Sequence, residues 1–305
     1  MSEQNNGQGR QEQRSRAFNP NDHVIQLKSR DGLRDYLPVQ WRLVWFREQC
    51  PNGSIETEML HLLLTKVQAV LSEKLVGFYL YGSLSLGDFD PAASDIDFLV
   101  VTTEELSGEL LEHLRDMHAS IASSGLRYAN RLEGSYIPSA PLRRYDPHNA
   151  RHPTIGVDWE FHVGQHGSNW VIERYIVREH GVVLWGPSPR TLIDPIPPNE
   201  LRKAVCEQLR DFWHPQLVGS EWLRPRDYQS FAVLTMCRAL YTLSQGIVAS
   251  KLAAAAWAQQ ALDPQWRPII EQALTWRHHH ERDDLTETLA FLRYAVKHGM
   301  EMCGQ

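Results

Sequence analysis

The chain reads as an α+β protein, a mixed β-sheet domain followed by an all-helical bundle. Three observations lead there. Between residues 75 and 101, two apolar runs of strand character flank a small-residue turn and a loop. Around them lie segments whose apolar residues recur at helical spacing, so helices and strands alternate through the front half. After Leu192 to Pro198 (LIDPIPP), whose proline density marks a boundary, the periodicity is helical almost to the end. The expected organisation is a tail over 1–22, an appendage over 23–57, a sheet domain over 58–194 and a helical domain over 195–305.

Residues 1–22 are rich in Gln, Asn, Arg, Ser and Gly. Such a segment buries too little surface to offset its ordering entropy, and disorder is expected. From His23 to Thr57 the composition turns apolar, with Trp41, Val44, Trp45 and Phe46, which suits a small docked appendage better than a linker. A helix is expected from Glu56 to Glu73, where Met59, Leu60, Leu63, Leu64, Val67, Val70 and Leu71 share one face. A strand at 77–81 follows, then Gly82-Ser83, then a second strand beginning at Ser94-Asp95-Ile96-Asp97. Glu104 to Ala122 reads as an amphipathic helix capped by Thr102 or Thr103.

Arg131 to Pro138 is expected to be a strand that puts Glu133 on the face opposite Leu132. Residues 141–153 read as a surface loop. The run 157–163 alternates, with Asp158, Glu160 and His162 on one side, a solvated or cleft-lining face rather than a metal site. A helix over 169–179 and a strand over 182–185 complete the front half. Five helices are expected beyond it, near 200–213, 227–244, 250–261, 268–276 and 284–301, a bundle packed on one flank of the sheet domain. His278-His279-His280 reads as a solvated turn, because consecutive residues cannot all converge on one metal.

The chemistry concentrates at Gly82-Ser83 and Asp95-x-Asp97. Alternate residues of a strand share a face, so Asp95 and Asp97 project together while Ile96 points into the core. Two adjacent hard carboxylates suit Mg²⁺, which completes its octahedron with phosphate and water. Gly82 permits close backbone approach to a phosphate, and Ser83 offers a hydroxyl and an N–H beside it.

Composition narrows the alternatives. The chain has 305 residues with a formal net charge of −6, the wrong sign for gripping nucleic acid by phosphate neutralisation. No run approaches the roughly 20 apolar residues of a membrane span. Cys50, Cys206, Cys237 and Cys303 lie far apart, without ligand or redox spacing. They read as reduced thiols of a cytoplasmic protein.

Gly-Ser followed about a dozen residues later by Asp-x-Asp resembles the nucleotidyltransferase signature, found in domains like that of DNA polymerase beta. Two further stretches extend the likeness. REHGVVLWGPSPRTLIDPIPPNEL (178–201) and VLTMCRALYTLSQGIVASKLAAAAWA (233–258) resemble the domain crossing and the helical core of the aminoglycoside 3″-adenylyltransferase (streptomycin/spectinomycin adenylyltransferase) family. The resemblance covers roughly residues 70–303.

It implies ATP as co-substrate, Mg²⁺, and a small-molecule hydroxyl acceptor bound in the cleft between the domains. Phosphate contacts would fall to Gly82, Ser83 and Ser94, and to Arg238 and Lys251 of the helical domain. The metal pair would be Asp95 and Asp97, and the catalytic base Glu133. An acidic family position that contacts ATP reads Asn169 here. Where streptomycin-modifying members carry an aspartate this chain has Tyr228, beside Asp227. Where they carry a tryptophan it has Gln165-His166-Gly167. His166, Asp227 and Tyr228 therefore stand as acceptor-contact candidates, and spectinomycin is favoured over streptomycin. A cationic drug would lose ion pairing and cation–π contact there. A monomer acting on no nucleic acid and no membrane is expected. The alternatives are a nucleotide-binding sensor or antitoxin-like protein, and adenylylation of a non-antibiotic acceptor.

Overall fold

The computed structural model describes residues 57–156, 160–276 and 284–304. The expectations for the tail, the appendage up to residue 56, Asp158 and the histidine run lie outside the described residues. The first helix, α1, spans Thr57–Leu71 and buries Met59, Leu60, Leu63, Leu64, Val67 and Leu71. That is the single stripe its sequence periodicity demands.

Six strands form one mixed sheet. They are β1 (Leu75–Leu80), β2 (Ile96–Thr102), β3 (Leu132–Pro138), β4 (Arg151–Ile155), β5 (Phe161–Gln165) and β6 (Val182–Trp185), in the spatial order β5-β4-β3-β2-β1-β6. β2 and β3 run parallel, and every other pairing is antiparallel. The parallel pair requires a crossover, supplied by α3 (Glu109–Ala122). The short helix α2 (Gly82–Leu86) follows β1, and α4 (Asn169–His180) links β5 to β6.

Both faces of the central strands are buried, which explains why β2 is almost continuously apolar. Phe78, Leu80, Phe98 and Val100 pack with the buried stripes of α1 and α3. Their neighbours Tyr79, Leu99 and Val101 point the other way, into a core shared with α4 and the helical half. That half comprises α5 (Pro198–Gln208), continued by a π-helical turn at Leu209–Trp213, then α6 (Arg226–Gln245), α7 (Lys251–Ala261), α8 (Arg267–Thr275) and α9 (Thr286–Cys303). The central helix α6 packs against α7, α8 and α9. No helix among the described residues is long and apolar enough to cross a membrane.

Three local expectations need correction. The stretch read as loop before residue 153 ends in β4, where Pro153 sits in the ladder opposite Val163. A proline among polar residues hides a strand. The helix expected from Glu104 starts at Glu109, because Gly108 takes a left-handed φ of 55°. Thr102 instead closes β2, its hydroxyl donating to the Glu104 carbonyl at 2.8 Å. Finally, Cys206 and Cys303 form a disulfide while Cys237 is a buried free thiol. A separation of 97 residues carries no spacing signal; packing of α9 on α5 brings the two together.

Candidate active site

The site begins where β2 and β3 enter the sheet. Their parallel register sets Ile96 beside Leu132 and Asp97 beside Glu133. Ile96 and Leu132 are buried among α1 and α3. By alternation, Asp97 and Glu133 lie on the opposite face, the one that carries Leu99 and Ile137 toward the helical half. Asp95 lies immediately before β2, close enough to act on the Asp97 carboxyl.

The turn after β1 closes on this pair. The Tyr81 N–H donates to the Asp97 carbonyl at 3.0 Å, and Gly82 follows with a φ of +63°. A Cβ on Gly82 would lie 1.9 Å from Asp97 Oδ2. Only glycine allows both that backbone conformation and that approach. Ser83 follows as the second residue of α2.

The loop between α2 and β2 is built around Ser94 and Arg131. Ser94 is buried, and its hydroxyl accepts the Asp90 N–H at 2.9 Å. Arg131 donates to the carbonyls of Pro91, Ala92 and Ser94 and pairs with Asp95 at 3.5 Å. Ser94 thus shapes the loop that presents Asp95. Arg131 lies just before β3, and sequence reading assigned it no role.

From the helical half, α6 contributes Arg238 and α7 opens with Lys251. The Lys251 ammonium lies 4.5 Å from the centre of the Phe231 ring, a cation–π contact. Its field reaches Asp95, Asp97 and Glu173. Glu173, on α4 one turn beyond Asn169, was not singled out from the sequence. The i, i+4 spacing from Asn169 was the available signal.

The electrostatics are those of anions crowded out of water. Burial holds the Asp97 carboxyl well above the ordinary carboxylate range; Glu133, Glu173 and Asp95 add to the rise and Lys251 opposes it. Burial also raises Asp95, against the Arg131 guanidinium and then Lys251. Glu173 is raised by burial and restrained by Arg238 and Lys251. The Tyr81 phenol is raised by burial and then by Glu173, Asp97 and Glu133. Like charges in a low-dielectric cleft call for a cation.

Among the described residues, no three Asp, Glu, His or Cys side chains are arranged to hold a metal. The Asp95–Asp97 pair nevertheless fits Mg²⁺, which commonly takes one or two carboxylates and draws its other oxygens from phosphate and water.

The remaining candidates divide. Asn169 is the first residue of α4, the helix against which α2 packs. Asp227 and Tyr228 lie in the first turn of α6, one turn before Phe231. Tyr228 is 45% exposed, with its ring edge-on to Trp222. His166 lies elsewhere, in the core. It is 4% exposed, stacked on Trp170 at 3.9 Å, with its Nε2 3.2 Å from Ser135 Oγ.

Comparison with known proteins matches this arrangement in both halves. Residues 64–129 match the nucleotidyltransferase domain, and residues 191–301 match the aminoglycoside adenylyltransferase C-terminal domain. The chain belongs to the aminoglycoside adenylyltransferase family. It is 29% identical over 221 residues to an aminoglycoside (3″)(9) adenylyltransferase of Klebsiella pneumoniae, covering 68% of this chain and 79% of that one. A spectinomycin 9-adenylyltransferase of Campylobacter jejuni is 25% identical over 224 residues, covering 71% and 83%. The crystal structure of spectinomycin adenyltransferase AAD(9) from Enterococcus faecialis, with ATP and spectinomycin, superposes with a TM-score of 0.64 at 20% identity. It covers 79% of this chain and 98% of that one, a likeness of fold. As an aminoglycoside-type adenylyltransferase, the chain is a nucleotidyltransferase enzyme.

Proposed function

We propose that the enzyme transfers AMP from ATP to a hydroxyl of an aminoglycoside-like amine, spectinomycin in preference to streptomycin, and so confers resistance. The observation that carries this reading is the lateral pairing of Asp97 with Glu133, pressed against Gly82 and within the field of Lys251. It brings a metal-binding acid, a candidate base and a phosphate turn together. Asp95 and Asp97 would hold Mg²⁺, which when bound offsets charge on the triphosphate.

Glu133 takes the proton of the acceptor hydroxyl. The freed oxygen forms its bond to the α-phosphorus as the bond from that phosphorus to pyrophosphate breaks, and pyrophosphate leaves. Gly82 and Ser83 cradle phosphate, while Arg238 and Lys251 offset its charge, including that of the leaving group. Such catalysis works by position and electrostatics. The acceptor enters past Asp227 and Tyr228, where a half-exposed phenol stands in place of the aspartate of streptomycin-modifying members. His166 is enclosed in the core against Trp170 and Ser135 and takes no part in that entrance.

Pyrophosphate release from ATP and Mg²⁺ tests the reading, with spectinomycin, streptomycin and no acceptor compared side by side. Release that depends on spectinomycin is expected. ATP binding without release in any arm would overturn the acceptor assignment.

A further inference from the structure

One hydrogen bond ties the phosphate turn of the sheet domain to the helix that carries Lys251. α2 holds Ser83 and ends at Gly87, in the left-handed region with a φ of 80°. Asp88 comes next. Its backbone N–H donates to the Ser83 carbonyl at 2.9 Å, so its position is fixed by the phosphate turn itself. Its carboxylate then reaches 164 residues along the chain, where Oδ2 accepts the Leu252 N–H at 2.9 Å.

Leu252 is the second residue of α7, directly after Lys251. The first turn of a helix leaves backbone donors without intrahelical partners. In α7, Ser250 Oγ accepts one of them, the Ala253 N–H at 3.2 Å, and Asp88 accepts another. An aspartate there also suits the positive end of the helix. α7 is thus capped twice, once from within and once from across the cleft.

We propose that Asp88 is a positioning residue that sets how closely Lys251 approaches the nucleotide phosphates. Two bonds, Ser83 to Asp88 and Asp88 to Leu252, fix the spacing between the hydroxyl and the ammonium assigned to one triphosphate. Phe231 holds the outer end of the lysine, with its ring 4.5 Å from the ammonium; Asp88 holds the inner end through the backbone. The inference rests on the proposed role of Lys251 at ATP.

The test is equilibrium binding of ATP and Mg²⁺ to the full chain, with amide hydrogen exchange at Leu252 as a second readout. Asp88→Ala is expected to weaken ATP binding by about tenfold, the scale of a lost cap, and to speed exchange at Leu252. Asp88→Asn keeps an accepting oxygen and stays within about threefold of the parent. Because Asp88 acts through Lys251, adding Asp88→Ala to Lys251→Ala should weaken binding no further. Additive losses in the double variant, or unchanged binding in Asp88→Ala, would overturn the proposal. A parent protein that bound no ATP would bring it down together with the proposed function. ATP binding without AMP transfer would bring down only the acceptor reading, and the Asp88 comparison would stand.

Discussion

Gly82 and Asp97 are in such close contact that a Cβ on the glycine would fall 1.9 Å from the carboxylate Oδ2. The turn after β1 and the start of β2 are thereby locked together, and both functional segments depend on the missing side chain. Gly82→Ala must push Asp97 aside and strain a φ of +63°. A displacement near 1 Å at a reacting centre costs on the order of 10²-fold in rate. AMP transfer is expected to fall by at least ~100-fold while the protein stays folded, as circular dichroism and turnover together will report. Parent-like turnover would show that the turn is not part of the site.

Asp97 stands among like charges, and burial is the largest cause of its raised pKa. A charge held against its environment is a stability cost in the metal-free protein. Asp97→Asn removes that cost together with the metal ligand. Turnover is expected to drop on the order of 10³-fold, while the melting temperature without Mg²⁺ rises by about 2–4 °C. A variant that is both less active and less stable would make Asp97 a scaffold residue.

Glu133 separates from Asp97 by role. As a base it meets the acceptor oxygen, whereas the aspartates meet the nucleotide through the metal. Glu133→Gln should leave ATP binding within about threefold and lower transfer by about 10²–10⁴-fold, the usual contribution of a positioned base. Titration calorimetry with ATP, set beside product formation, decides the matter. Loss of ATP binding would make Glu133 a ligand of the nucleotide complex instead.

Much of this arrangement was legible in the chain. The alternation around Asp95-Ile96-Asp97 determines which way the carboxylates face, and apolar periodicity located α1, α4 and the five helices of the bundle. What escaped reading depends on contacts distant in sequence. Glu173 looks like any polar helix residue until α4 packs beside the cleft and its charge meets those of Arg238 and Lys251. Arg131 and Asp88 gain their partners across 36 and 164 residues. β4 was hidden by Pro153, and the Cys206–Cys303 bond by helix packing. His166 occupies a segment that resemblance associates with the acceptor, yet its ring is buried against Trp170, because an imidazole fits a core as well as a cleft.

Those buried imidazoles give the protein an acid limit. Burial lowers His118 to about 4. It lowers His152 to about 4 with help from Arg174, and His166 to about 3 with help from His152 and Arg174. An unfolded histidine titrates near 6.5. Between that value and the folded one, the unfolded chain binds protons that the native state refuses, so the native state loses stability as pH falls. The loss is absent above about pH 7, grows as pH drops below about 6.5, and is complete near pH 3–4. Each histidine contributes on the order of 3–5 kcal/mol across that span. Urea denaturation at pH 7.5, 6 and 5 should therefore show a steep decline. His152 is 0% exposed, and neither ring nitrogen has a well-formed hydrogen bond, although the Asn149 backbone lies close enough to favour its protonation. His152→Leu should then raise stability at neutral pH and make the acid slope shallower by one proton. An unchanged slope in that variant would mean that the imidazole opens to water before the fold is lost.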